Sequence, residues 1–189
     1  MKELSLNILD IAENSTKARA SLVEILINEA DTALTLTISD NGCGMTEEVL
    51  RGVSDPFYTT RTTRRVGMGI PLLKLAAEMT GGSFSISSRH ESEYSDHGTV
   101  VKASFYKNHI DFTPLGDVIS SITTLIQGHP DTDFRFLHTS EYAEVTFDTR
   151  EVRAVLEDVP LDNFEVLLWI KENLLEQYEV FNKKQNKLS

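Results

Sequence analysis

The segment Asp55–Gly82, DPFYTTRTTRRVGMGIPLLKLAAEMTGG, joins a polar loop rich in Thr and Arg to an apolar helix through Gly67-Met68-Gly69. Glycine adopts turns that a side chain forbids and lets backbone come close to a ligand. Pro71 suits the first turn of a helix, where its missing N–H is not needed. The free N–H groups and the dipole of such a helix start favour an anion over Gly67 and Gly69. Arg61, Arg64 and Arg65 stand just upstream, where they could reach phosphate oxygens. Gly-x-Gly before a helix also occurs at ordinary tight turns, so the rest of the chain must decide whether this is a phosphate grip.

Upstream, residues 4–18 carry a helical period, with Leu4, Ile8, Leu9, Ile11 and Ala12 on an apolar face. Asn7, Asp10, Asn14 and Lys17 recur at spacings of three and four and form one polar stripe. Such a stripe on an isolated helix is ordinarily a solvated surface. Leu22–Ile27 reads as a strand, and Ala33–Ser39 as a clearer one in which Leu34, Leu36 and Ile38 alternate with Thr35, Thr37 and Ser39. Asp40 shares the parity of the leucines and should point toward the buried layer. A carboxylate there needs a donor, because burial without a partner costs several kcal/mol. Asn41-Gly42-Cys43-Gly44 turns the chain beneath it, and Thr46 caps a short helix to Val53.

Two strands follow the Asp55–Gly82 segment, Ser83–Ser88 and Thr99–Phe105. Thr99 has the parity of Val101, Ala103 and Phe105, which turns its hydroxyl toward the layer of Asp40. The expected fold class is α/β, a two-layer sandwich with a sheet covered on one face by helices. A boundary is expected near Asn108–Thr113. It divides residues 1–108 from a small α+β segment, 109–189, with a helix at 114–127, a hairpin at 134–139 and 142–147, a helix at 149–156 capped by Asp148, and a final helix at 163–181.

At 189 residues with 40% hydrophobic content the chain can bury a core, and no apolar run is long enough for a membrane span. The start, MKELSLNILDIAEN, carries acids within its apolar stretch and lacks a small-residue cleavage site, so a signal peptide is not expected and the expected location is cytoplasmic. A lone Cys43 excludes an internal disulfide framework and a cysteine-rich metal site. The formal net charge of -11 repels nucleic acid and acidic membrane surfaces at long range, so neither is an expected partner.

Four features thus follow in fixed order: Asp10-x-x-x-Asn14 on a helix, the Asp40-x-Gly42-x-Gly44 turn, Asp55-Pro56-Phe57, and the Gly67-x-Gly69 helix start. Together, with the Gly98-Thr99 strand after them, they resemble the N, G1, F and G2 boxes of the ATPase superfamily that unites DNA gyrase, the ninety-kilodalton heat-shock chaperone, mismatch-repair MutL proteins and sensor histidine kinases. The resemblance covers roughly residues 4–106. It implies the Bergerat ATP-binding fold, whose sheet is mixed, and ATP with Mg²⁺ as ligands. Asn14 would ligate the metal and Lys17 would reach phosphate. Asp40 would accept the adenine amino group, Gly42 and Gly44 would admit the base, Met45 and Ile70 would pack near it, and Thr99 would complete its contacts. Phe57 belongs to the third box. Thr59, Thr60, Arg61, Arg64, Arg65 and Val66 would form the lid, and Gly67, Met68, Gly69 and Ile70 would bind phosphate through backbone N–H groups.

Asp10 stands where the gyrase and MutL branches have a water-activating Glu, so its carboxylate is one methylene shorter; it would orient or activate water, or serve structurally. Arg65 replaces a further glycine of the usual pattern, and the lid is short. With few residues ahead of the first helix in this sequence, a phosphoacceptor module there is not expected. His90, His97, His109, His129 and His138 fall in loops or strand ends and read as surface histidines. Two functions of different class remain: an ATPase or protein kinase acting on a partner in trans, like the small anti-sigma-factor serine kinases of the superfamily, or a nucleotide-gated binding module. Leu167, Leu168, Trp169 and Leu174 of the last helix would pack on the hairpin or the ATP-binding part, or form a partner or homodimer surface.

Overall fold

The structure is a computed structural model that describes residues 3–53, 68–156 and 158–186. In chain order its elements are α1 (Leu4–Lys17), β1 (Leu22–Glu29), β2 (Ala33–Asp40), α2 (Glu47–Gly52), α3 (Gly69–Met79), β3 (Ser83–Arg89), β4 (Gly98–Tyr106), α4 (Val118–Gly128), β5 (Asp133–Ser140), β6 (Glu144–Asp148), α5 (Thr149–Leu156) and α6 (Phe164–Asn186). At α2 the local signal acts as expected, since Thr46 accepts the Val49 N–H and caps the helix. The helix expected from 114 starts instead at Val118, where Asp117 accepts the Ser120 N–H at 2.9 Å and caps α4. Asp148 accepts the Arg150 N–H at 3.0 Å at the start of α5.

The strands form one mixed sheet in the order β3-β4-β2-β1-β5-β6, antiparallel except for the β1–β5 pair. Because side chains alternate across a strand, register decides which residues meet. Ile86, Val101, Ile38, Ile25, Phe136 and Phe147 lie in one row across all six strands. That face is buried with Leu4 and Ile8 of α1, Leu73 of α3, Ile122 of α4 and Ile170 of α6. The opposite face carries Thr35, Thr37, Ser85, Lys102 and Thr146, none of them buried. The chain is therefore an α/β sandwich with helices on one face of a mixed sheet. None of the described helices is long and apolar enough to cross a membrane.

β5 and β6 continue the same sheet across the expected boundary at residues 108–109, since Leu22–Glu29 pairs in parallel with Asp133–Ser140. Three expectations for this part are corrected or refined. His138 is not a surface histidine: it is 2% exposed, because its register opposite Ile27 turns it into the core. There its Nδ1 meets the Tyr178 hydroxyl at 2.9 Å, and Nε2 lies 3.4 Å from Glu29 Oε1, off the line of a hydrogen bond. Burial pushes the Tyr178 phenol up, whereas the contact with His138 holds the Glu29 carboxyl below its ordinary value. Leu174 is fully buried, but Trp169 stays 51% exposed.

Candidate nucleotide site

The site is built over the ends of β2, β4 and β3. Asp40 ends β2 on the inward parity of Leu36 and Ile38, as its position in the alternation requires. Its carboxylate has two donors: Gly42 N–H reaches Oδ1 at 2.9 Å, and the Ser15 hydroxyl of α1 reaches Oδ2 at 2.6 Å. Thr99 pairs with Asp40, and Ser88 pairs with Thr99. Ser88 and Thr99 hydroxyls are 2.9 Å apart, Ser88 donates to the Gly98 carbonyl at 3.0 Å, and the Met45 N–H donates to Ser88 at 2.8 Å. The result is a polar row, Asp40–Thr99–Ser88, two strand spacings or about 10 Å long.

The turn after Asp40 follows closely packed backbone. Gly44 has φ +68°, and a Cβ there would lie 1.9 Å from the Arg89 carbonyl oxygen, so only glycine fits. Arg19 bonds Glu91 at 2.6 Å, which raises the guanidinium's pKa, and Glu91 N–H donates to the Cys43 carbonyl at 2.9 Å. His97 Nδ1 lies 2.5 Å from the Gly42 carbonyl. The segment between β3 and β4 is thus tied to the turn at two points.

At the other end, α3 starts at Gly69, with Met68 67% exposed before it and Ile70 buried behind it. A Cβ at Gly69 would be 2.8 Å from Asp10 Cβ, so the glycine lets the start of α3 sit directly against α1 at Asp10. Asp10 is exposed, and Asn14 lies one turn further on, half-buried on the same side. Lys17 is exposed, and its ammonium lies 3.6 Å from Glu13 Oε2, whose other oxygen meets His129 at 2.9 Å.

The expected residues Asp10, Asn14, Asp40, Gly42, Gly44, Met45, Gly69, Ile70 and Thr99 therefore gather along α1 and the strand ends. Phe57, Thr59, Thr60, Arg61, Arg64, Arg65, Val66 and Gly67 lie outside the described residues. Asn7, expected on the polar stripe, is instead 2% exposed, and its Nδ2 has no partner among the described residues. A helical wheel assigns it to the polar stripe, but packing of the folded chain removes it from solvent. Sequence reasoning missed Ser15 and Ser88. Ser15 follows Asn14 on the helix side that faces β2, and Ser88 shares the inward parity of Phe84 and Ile86; both signals needed the pairing of elements to be read.

The architecture and the site define a two-layer α/β domain with the polar Asp40–Thr99–Ser88 row at one end and a helix N-terminus at the other. Residues 1–109 match the family described as histidine kinase-, DNA gyrase B-, and HSP90-like ATPase. The chain belongs to that family. It is 30% identical over 98 residues to the C4-dicarboxylate transport sensor protein DctB of Pseudomonas aeruginosa, covering 51% of this chain and 15% of that one. It is 29% identical over 107 residues to sporulation kinase A of Bacillus subtilis, covering 57% of this chain and 16% of that one. The matches thus span less than a fifth of the length of these relatives. Among solved structures, the Aquifex aeolicus MutL ATPase domain complexed with ADP superposes with a TM-score of 0.53 at 17% identity, covering 83% of this chain and 70% of that one. The N-terminal domain of a DNA repair protein gives 0.52 at 16% identity over 77% of this chain and 52% of that one. Both superpositions cover more of the chain than residues 1–109, so the likeness of fold extends into the part that carries β5.

Proposed function

We propose that the chain binds Mg-ATP between the Asp40–Thr99–Ser88 row and the start of α3, and that it hydrolyses ATP or passes its γ-phosphoryl group to a protein partner. The observation that carries this reading is the span of α1. Ser15 holds Asp40, and Asp10, five residues earlier or about 7.5 Å along the helix axis, touches Gly69 at the α3 start. One helix therefore joins a base-recognising end to an anion-favouring end.

The residues fit the ligand. An ionised carboxylate has about four lone-pair positions, and Asp40 uses two, which leaves room for the adenine amino group. The first N–H groups of α3 have no intrahelical partner and suit phosphate. Asn14 would hold Mg²⁺ through its amide oxygen, as a hard cation prefers. Bound Mg²⁺ would neutralise phosphate charge. Asp10, exposed beside the phosphate end, would orient or deprotonate an attacking water or hydroxyl. Thr99 and Ser88 would fix the far edge of the base. Arg61, Arg64 and Arg65 would close over the phosphates.

Binding of ATP and ADP with Mg²⁺, followed by steady-state hydrolysis and phosphate transfer to added proteins, tests the reading. Asp40→Asn should weaken binding, whereas Asp10→Asn should spare binding and lower turnover by about 10²-fold or more. Absence of binding at millimolar nucleotide refutes the reading as a whole. The second function, a nucleotide-gated binding module without turnover, is favoured by the shortened carboxylate at Asp10. Equal phosphate release by the wild type and Asp10→Asn supports it.

A further inference from the structure

At the far edge of the sheet, three strand spacings or about 14 Å from β2, an open groove of about 800 Å³ lies between β6, α5 and the first half of α6. Its floor is apolar: Phe147, Val152 and Val166 are nearly buried there. Its walls mix polar groups with exposed apolar side chains, Val155 at 82%, Val159 at 44% and Trp169 at 51%. Exposed side chains of this size in one place mark a binding surface more often than scattered ones do. Tryptophan in particular anchors interfaces.

Charge and backbone narrow the occupant. Asp148, Glu151 and Glu165 line the groove, and among the described residues no Lys, Arg or His lines it. Asp148 is already bonded to Arg150, but Glu151 and Glu165 have no cation partner among the described residues. A second copy of this chain, with net charge -11, would bring the same acids against themselves in a two-fold contact. An added β-strand is also disfavoured. It would need the outward N–H and C=O of the edge strand β6, and at Thr146 both are taken by Gln177, at 2.9 and 3.0 Å. What remains is a helix that inserts apolar side chains between α5 and α6 and sets cations on the rim.

We propose that this groove docks a basic amphipathic helix of a partner protein, with Trp169 as its anchor and Glu151 and Glu165 receiving the partner's Lys or Arg residues. The surface is separate from the nucleotide site, so the proposal stands whether or not ATP is turned over.

Trp169 is the chain's one tryptophan, so its emission reports this groove. The full chain is titrated with a 14-residue helical peptide of Leu and Lys, Leu at i, i+3, i+4 and i+7, and with the same peptide carrying Glu for Lys. The Lys peptide should shift Trp169 emission to the blue at micromolar concentration, and added salt should weaken it; the Glu peptide should give no shift. The double variant Glu151→Lys, Glu165→Lys should weaken the Lys peptide at least tenfold and admit the Glu peptide. If that variant does not fold, Glu151→Gln with Glu165→Gln should still weaken the Lys peptide about threefold or more. Equal response to both peptides, or Lys-peptide binding unchanged by the variants, overturns the proposal. So does a concentration-dependent Trp169 shift with dimer formation and no peptide, which assigns the groove to a second copy. A shift produced by a small apolar dye and by neither peptide also overturns it.

Discussion

Replacing Ser15 with alanine tests whether α1 orders the base-recognising carboxylate. The buried Ser15 hydroxyl donates to Asp40 Oδ2 at 2.6 Å, a length typical of a charge-assisted bond, and leaves Gly42 N–H as the carboxylate's other donor. A hydrogen bond to a charged group contributes about 1.5–3 kcal/mol, but Asp40 is only partly buried and water can replace part of the lost donor, so the expected loss of stability is about 1 kcal/mol. With Oδ2 released, the carboxylate no longer keeps the orientation that the adenine amino group requires. Loss of one well-aligned hydrogen bond, about 1–1.5 kcal/mol, corresponds to roughly a tenfold rise in the Kd for ATP. Affinity for GTP, which lacks the amino group at that position, should change little, so the ratio of ATP to GTP affinity falls. Urea unfolding gives the first quantity and nucleotide titration the second. In a double-mutant cycle with Asp40→Asn the two changes should be non-additive by about 1 kcal/mol. Additive effects, or an equal loss of ATP and GTP binding, would refute the idea that Ser15 acts through Asp40.

Gly69→Ala places a methyl group 2.8 Å from Asp10 Cβ, so α3 must move away from α1; ATP affinity should fall about tenfold despite alanine's better helix propensity, and titration calorimetry checks this. Glu29 has its folded pKa held below the ordinary 4.5, first by the contact with His138, with Lys107 adding to it. Its stabilisation is therefore present above about pH 4.5 and is lost as pH falls through the folded value. Glu29→Gln should flatten the acid limb of the stability curve in urea melts from pH 3 to 7, and an unchanged limb contradicts the assignment. Burial raises the Tyr178 pKa above its ordinary 10.0, so its stabilisation is complete below pH 10 and declines as pH rises beyond it. Tyr178→Phe should remove that alkaline decline, as followed by circular dichroism.

Much of the fold was legible because it is written in local periods. The alternation of Leu34, Leu36 and Ile38 carried through to Asp40 and placed its carboxylate on the helix-covered face. Thr46 and Asp148 sit at helix starts because their side chains satisfy N–H groups that the helix cannot. Asn7 shows the limit of the same reasoning. Its spacing put it on the polar stripe with Asp10, but a helical wheel does not say which positions of that stripe the rest of the fold will cover, and Asn7 is buried.

By itself, then, the sequence determined most of the elements, the inward face of β2 and β4 and the order of the four motifs, because each follows from neighbours within one or two turns of chain. The tertiary structure alone decided that Ser15 meets Asp40 across 25 residues and that His138 is buried beside Glu29 across 109. It also decided that the parallel β1–β5 pairing extends the sheet and leaves Trp169 on an open groove. Those outcomes depend on strand order, register and helix docking between distant segments, where the energy lies in contacts that no local pattern encodes.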